Sequence, residues 1–325
     1  MSNANLIKNT LQPLLLTLSL NFKCSAELPP HSIAITQFVD HVAVDTVREA
    51  LLEELAREGY EEGKNLTVDF ENAQGNAATA GQIARKFIGL KPNVIVAITT
   101  PSAQAIVKAV GKDDIPIVFS AVTDPLEAGL VSSLKDHKGK VTGVMDAPPL
   151  KEQFKFIKTL LPATKTVGVL YNPGDSGSVS SLEIIREQAK QQGFTIVEAT
   201  PVKSSDIQAA VLQLVGKVDV LYIPLDNMLV SAMKTLSTTA LKHHLPLFAA
   251  DSGSVEAGAL ACVGYSYRQA GIKTGEMVVE ILKGKDPAEI DVASPATIDI
   301  FINKYALEKL KITLPEAVRR QAQFY

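Results

Sequence analysis

Two short segments hold residues whose types and spacing could bind a small charged molecule. In Thr100-Pro101-Ser102, two hydroxyls flank a proline that opens a helical stretch. The free backbone N–H groups at a helix start favour an anion such as a carboxylate. A plain helix cap with proline in its first turn accounts for the same residues. In Asp226-Asn227, a carboxylate directly follows the apolar run 220–223. It could hold an ammonium by a charge-assisted hydrogen bond, or it could cap the helix that follows. An anion site and a cation site in two different parts of the fold would together suit a free amino acid.

Open parallel sheets bind ligands beyond the carboxyl ends of their strands, near the following helix starts. Collecting residues at such places extends the candidate binding set. After the first apolar run come Gln37 and Phe38, with Asp40 and His41 close behind. Ala121, Thr123 and Asp124 follow the run 117–120. The second half contributes Tyr171, Asn172, Ser176 and Ser178 around a Pro-Gly turn, then Asp226 and Asn227, then Asp251. Phe38, Phe119 and Tyr171 offer either apolar walls for a ligand or ordinary core packing.

Catalysis has no visible equipment. Gly174-Asp175-Ser176-Gly177 looks like a serine-protease nucleophile sequence. That motif belongs to a two-barrel β fold, whereas here it leaves an apolar run and enters a helix, so a turn and cap explain it better. Dinucleotide, phosphate-loop, nucleophile-elbow and zinc-protease signatures are missing. The five histidines are scattered, and the adjacent pair His243-His244 stands at a helix end before Leu245-Pro246. The chain therefore reads as a binding protein with no catalytic residue, no cofactor and no metal site. Cys262, within Leu260-Ala261-Cys262-Val263, reads as a buried strand residue rather than a nucleophile.

The elements that would position these residues come in two similar sets. Leu245-Pro246-Leu247-Phe248 through Glu256-Ala257-Gly258 is a worn copy of Ile115-Pro116-Ile117-Val118 through Glu127-Ala128-Gly129, displaced by 245 − 115 = 130 residues. Upstream, the run 93–98 is answered by 219–224, and 33–37 by 167–171. Helical periods lie between: 45–58, 77–88 and 102–110 in the first half, then 178–192, 205–214 and 228–243. Continuous apolar strands separated by helices indicate parallel sheets covered on both faces. At 325 residues the chain is also long enough for two domains. The expected fold is α/β, two similar doubly wound parallel-sheet lobes joined by a multi-strand hinge, with a cleft between them. Residues 143–149 are the expected linker, and a helix (269–283) and a strand (297–302) beyond the repeat cross back. Lobe 1 is then 31–146 plus about 266–292, and lobe 2 is 147–265 plus about 293–325.

A net charge of −3 without a basic stripe argues against nucleic acid or an anionic membrane as the main partner. Residues 1–26 have the grammar of a secretory signal peptide. Lys8 is followed by a mostly apolar run at 11–22, and Cys24-Ser25-Ala26 supplies small residues for cleavage. Lys23 stands where a lipid-anchoring signal needs a small residue, so soluble, extracytoplasmic release is expected rather than lipidation of Cys24.

Several motifs together resemble the ABC transporter substrate-binding protein family, in its aromatic amino-acid (tryptophan-binding) type. They are Ile35-Thr36-Gln37-Phe38-Val39-Asp40-His41, Gly59-Tyr60-Glu61-Glu62-Gly63-Lys64-Asn65-Leu66 and Ala73-Gln74-Gly75-Asn76, then Thr100-Pro101-Ser102-Ala103-Gln104-Ala105. The stretch from Pro116 to Pro125, Tyr171-Asn172-Pro173-Gly174 and Asp226-Asn227 complete the set. The resemblance implies a type I periplasmic-binding fold, a monomer that delivers a small amino-acid-like ligand, and a membrane permease as partner. It also implies that the Thr-Pro-Ser turn meets the ligand carboxylate and Asp226 its amine. Asp251, within Ala250-Asp251-Ser252-Gly253, is a departure that adds an acidic group. A ligand-sensing receptor or a regulator core of the same fold is the alternative. A regulator would carry a DNA-binding segment where this chain has a leader.

Overall fold

The computed structural model describes residues 30–111, 113–294 and 297–325. The expected leader and Cys24 lie outside them. The first half runs β1 (His31–Gln37), α1 (Val42–Arg57), β2 (Leu66–Asn72), α2 (Ala77–Leu90) and β3 (Val94–Ile98). It continues with α3 (Thr100–Val110), β4 (Ile117–Val122) and β5 (Val141–Met145). These strands form one sheet in the order β2-β1-β3-β4-β5, parallel throughout. Every residue of β3 and β4 is buried, as a sheet covered on both faces requires.

The second half opens with α4 (Leu150–Leu160), β6 (Thr166–Leu170), α5 (Ser176–Ser180), α6 (Leu182–Gln191) and β7 (Thr195–Ala199). Next come α7 (Ile207–Leu214), β8 (Val220–Ile223), α8 (Asn227–Ser231), α9 (Met233–Lys242), β9 (Leu247–Ala249), α10 (Ser252–Glu256) and β10 (Ala261–Gly264). The order β7-β6-β8-β9-β10 reproduces the first sheet strand for strand, so the 130-residue repeat has a direct structural image. Each sheet separates two apolar layers, one on either face.

The tail divides between the lobes. Helix α11 (Tyr267–Leu282) returns to the first sheet and packs on α1. That packing is close because Gly271 carries no side chain: a Cβ there would lie 2.4 Å from the Val47 carbonyl oxygen and 2.7 Å from the Ala50 Cβ. Strand β11 (Asp299–Ile302) then joins the second sheet antiparallel to β10. After α12 (Lys304–Lys309) and α13 (Glu316–Gln321), β12 (Ala322–Phe324) pairs beside β11. The chain thus passes between lobes after β5, after β10 and ahead of β11.

Some local expectations are corrected. The supposed linker 143–149 begins as strand: β5 pairs with β4, and only from Asp146 does the chain leave the sheet. Gly143 makes this possible, since a Cβ there would sit 2.1 Å from the Phe119 carbonyl oxygen. The helix expected over 178–192 is two helices divided at Ser181, and that over 228–243 is divided at Ala232. Helix α4 had not been foreseen. It buries Leu150, Phe154, Ile157 and Leu160 on one stripe.

Candidate functional site

The carboxyl ends of both sheets face a small cavity between the lobes. The first lobe supplies His41, Val44, Thr99, Thr100, Ala121 and Thr123, and Asp146 and Tyr267 join them from the two crossings after β5 and β10. The second supplies Gly177, Leu225, Asp226, Asn227, Val230 and Asp251. No lysine or arginine is among them.

The start of α3 borders the cavity on the first-lobe side. Thr99 occupies the position before the helix with φ 76°, a left-handed conformation that is costly for a β-branched residue. Its carbonyl begins the helix ladder by accepting from the Ala103 N–H. No side chain caps the helix, so its first N–H groups keep their hydrogen-bonding capacity. The hydroxyls of Thr99 and Ser102 are buried without a partner. Ala121, where the β4–β5 register shifts, is also left-handed with φ 52°. Two strained residues and two unpaired hydroxyls at adjacent strand ends suit an anion better than a plain cap, which would have satisfied one of these groups.

Three carboxyl groups lie opposite or beside this helix start. Asp226 is 1 % exposed, and both its oxygens are engaged: Oδ1 accepts from the Leu229 N–H at 3.1 Å and Oδ2 from the Asn172 N–H at 2.6 Å. Burial, with the Asp175 charge nearby, pushes its carboxyl up to about 6. Asp251 caps α10 through the Ser254 N–H and also meets the Ser254 hydroxyl. Burial raises its carboxyl too. Asp146 accepts from the Tyr267 O–H at 2.8 Å through Oδ2, while Oδ1 has no partner. Burial pushes the Asp146 carboxyl up to about 6, against the Tyr267 hydrogen bond that favours ionisation. His41 is held neutral, its imidazole lowered to about 4 by burial, and its Nδ1 is likewise unpartnered.

Of the residues expected to bind, Thr100, Ala121, Thr123, Asp226, Asn227 and Asp251 line this cavity. Ser102 lies buried in the first turn of α3. Phe38, Asn172 and Ser176 line a wider interlobe groove that shares Asn227 with the cavity. Asp124 caps its own turn and faces a side recess with Thr100 and Ser176. Four residues point elsewhere. Gln37 is fully buried, bonded to Asp40, Asp45 and Arg48. The Tyr171 ring packs in the second lobe's core with its hydroxyl on Glu198. Ser178 donates to the Asn172 and Asp175 carbonyls. Phe119 is wholly core.

Asp146 and Tyr267 escaped the sequence reading. Asp146 was hidden by reading β5 as linker, and Tyr267 opens a helix with no counterpart in the repeat. The strand order supplies the missing signal: a residue just past a fifth strand belongs at the cleft. Among the described residues, no group of His, Cys, Asp or Glu has the arrangement to hold a metal ion, and no helix is long and apolar enough to cross a membrane.

The profile of the ABC transporter substrate binding protein family matches residues 32–324. The chain belongs to this family. It is a substrate-binding protein of an ABC transporter and not an enzyme. It is 40% identical, over 279 residues, to the tyrosine-binding protein of Clostridioides difficile, covering 86% of this chain and 80% of that protein. A solved ABC domain from Streptococcus pneumonia in complex with L-Trp is 32% identical, with 91% of this chain and 99% of that one covered and a TM-score of 0.86. A ligand-free, open substrate-binding protein of Clostridium difficile is 38% identical over the same shares, yet its TM-score is only 0.70. Rotation of one lobe lowers whole-chain similarity while leaving each lobe intact. More distant solute-binding proteins of the type I periplasmic fold share the architecture alone.

Proposed function

We propose that this substrate-binding protein takes up one aromatic L-α-amino acid between its lobes and delivers it to a membrane permease. The observation that carries the reading is the uncapped start of α3, with the Thr99 and Ser102 hydroxyls buried and unpaired, beside a cavity rich in carboxyl groups and lined by no lysine or arginine. A zwitterion answers both: its carboxylate takes the helix-start donors and its ammonium brings the positive charge the wall lacks. Val44, Ala121, Leu225 and Val230 add apolar wall for a side chain. The C. difficile relative is named tyrosine-binding, and the solved pneumococcal relative holds L-Trp. Both support an aromatic occupant.

The lobes that close on it are 31–146 with 266–292, and 147–265 with 293–325. The packing of α11 on α1 and the joining of β11 and β12 to the second sheet support these bounds. We further propose that residues 1–26 are removed on export and that the mature protein works outside the cytoplasm as a monomer. Calorimetric titration with L-tyrosine and L-tryptophan, and with sugars for comparison, tests the ligand class. Saturable binding of either amino acid is expected, and binding only of a sugar would overturn the reading.

A further inference from the structure

We infer that Asp146, held by Tyr267, receives the ligand's ammonium, and that Asp226 does not. The inference rests on the amino-acid reading above and concerns which carboxylate serves it. Three buried carboxyl groups reach the cavity, and their partners differ. Each oxygen of Asp226 already accepts a backbone N–H, one holding the start of α8 and the other the turn after β6. Each oxygen of Asp251 is on Ser254. Both groups are therefore occupied in keeping the local backbone in place. Asp146 is 6 % exposed and lines the cavity, and its Oδ1 accepts no hydrogen bond within the geometric limits that its other oxygen meets. Buried polar atoms are nearly always paired, and an unpaired carboxyl oxygen on a residue that lines the cavity offers a place for a ligand donor.

Tyr267 is the positioning residue. Its hydroxyl donates to Oδ2 at 2.8 Å, which fixes the carboxyl and leaves Oδ1 as the oxygen available. The two residues stand at the first-lobe ends of two interlobe crossings, Asp146 where the chain leaves after β5 and Tyr267 where it returns at the head of α11. The Asp146 N–H bonds Val122 in the first sheet, and the preceding Met145 N–H bonds Ala293 ahead of the third crossing. An ammonium on Oδ1 thus sits where the hinge segments meet, so the group that distinguishes an amino acid from a simple acid is read at the hinge.

The test compares two probes, L-tyrosine and 3-(4-hydroxyphenyl)propanoate, which differ only by the amino group. Their affinity ratio is measured by calorimetry for the wild type and for Asp146→Asn, Tyr267→Phe and Asp226→Asn. Asp146→Asn should lower tyrosine affinity about 30- to several-thousand-fold while leaving the propanoate unchanged or improved, so that the ratio collapses. Tyr267→Phe should reduce the ratio by a smaller factor, about 2- to 13-fold. Asp226→Asn should leave the ratio intact even if both affinities fall together. Thermal melting without ligand shows that each variant is folded, and a merely structural role for Asp146 would move the melt without moving the ratio. An unchanged ratio in Asp146→Asn, or a collapse in Asp226→Asn alone, overturns the assignment while the amino-acid reading stands. A wild-type protein with no preference for tyrosine over the propanoate overturns both.

Discussion

Adding one methyl group at Gly253 should separate lobe closure from folding. Gly253 lies in α10 of the second lobe, against the first turn of α1 in the first. A Cβ at this position would stand 2.8 Å from the Ala43 nitrogen, 3.0 Å from its Cβ and 3.1 Å from its Cα. Two of those three atoms are backbone, so the neighbour cannot rotate away. Overpacking of this kind costs about 1–3 kcal/mol. If the lobes part here when the ligand leaves, only the closed form bears that cost, and ligand affinity falls about 5- to 150-fold. The ligand-free protein should melt no lower, because alanine is favoured over glycine inside a helix by about 1 kcal/mol. Calorimetric titration of Gly253→Ala with L-tyrosine, beside scanning calorimetry without ligand, reads both effects. Unchanged affinity would refute the reasoning. A fall in ligand-free stability with affinity preserved would show that the contact persists in both forms and lies within the hinge.

Other expectations follow from the same geometry. Removing the unpaired hydroxyl in Ser102→Ala should leave ligand-free stability unchanged or slightly higher. It should weaken amino-acid binding about 10- to 150-fold, as for a hydrogen bond to a charged group, and full retention of affinity would remove α3 from the carboxylate site. Gly271→Ala should destabilise the whole chain by at least about 1–3 kcal/mol, since its Cβ would meet the Val47 carbonyl oxygen at 2.4 Å; an unchanged melting temperature would contradict the α1–α11 packing. The carboxyls of Asp146 and Asp226, raised from 3.8 to about 6, stabilise the ligand-free fold below about pH 4, and this contribution is lost as pH rises through about 6. A bound ammonium favours ionised Asp146, so affinity should fall up to about tenfold per pH unit below pH about 6, and a flat profile would contradict this. Protein recovered from a native envelope fraction should begin after residue 26; an intact N-terminus would contradict the proposed export.

The architecture was readable because its physics leaves a mark on composition. Strands 94–98 and 117–120 are buried on both faces and so are continuously apolar, and helical periods separate them. The same uniformity conceals direction. In a strand covered on both sides there is no apolar–polar alternation to show which way a residue points, so Tyr171 looked as eligible for the cleft as for the core. Strand β5 was missed because Thr142 and Gly143 interrupt its apolar run, and its glycine serves a close approach to Phe119 that no local pattern announces. Missing that strand end concealed Asp146. Asp226 illustrates a different limit: a helix-capping carboxylate and an ammonium-binding one are the same residue at the same position. Only their hydrogen-bond partners, here Leu229 and Asn172, tell them apart.

Native mass spectrometry of freshly purified protein, followed by exchange against added L-tyrosine and L-tryptophan, tests the ligand class most directly. An amino acid in the interlobe cavity predicts a 1:1 adduct with the mass of an aromatic amino acid, displaced by either compound. A tightly held sugar, or an anion without an amino group that neither compound displaces, would contradict it.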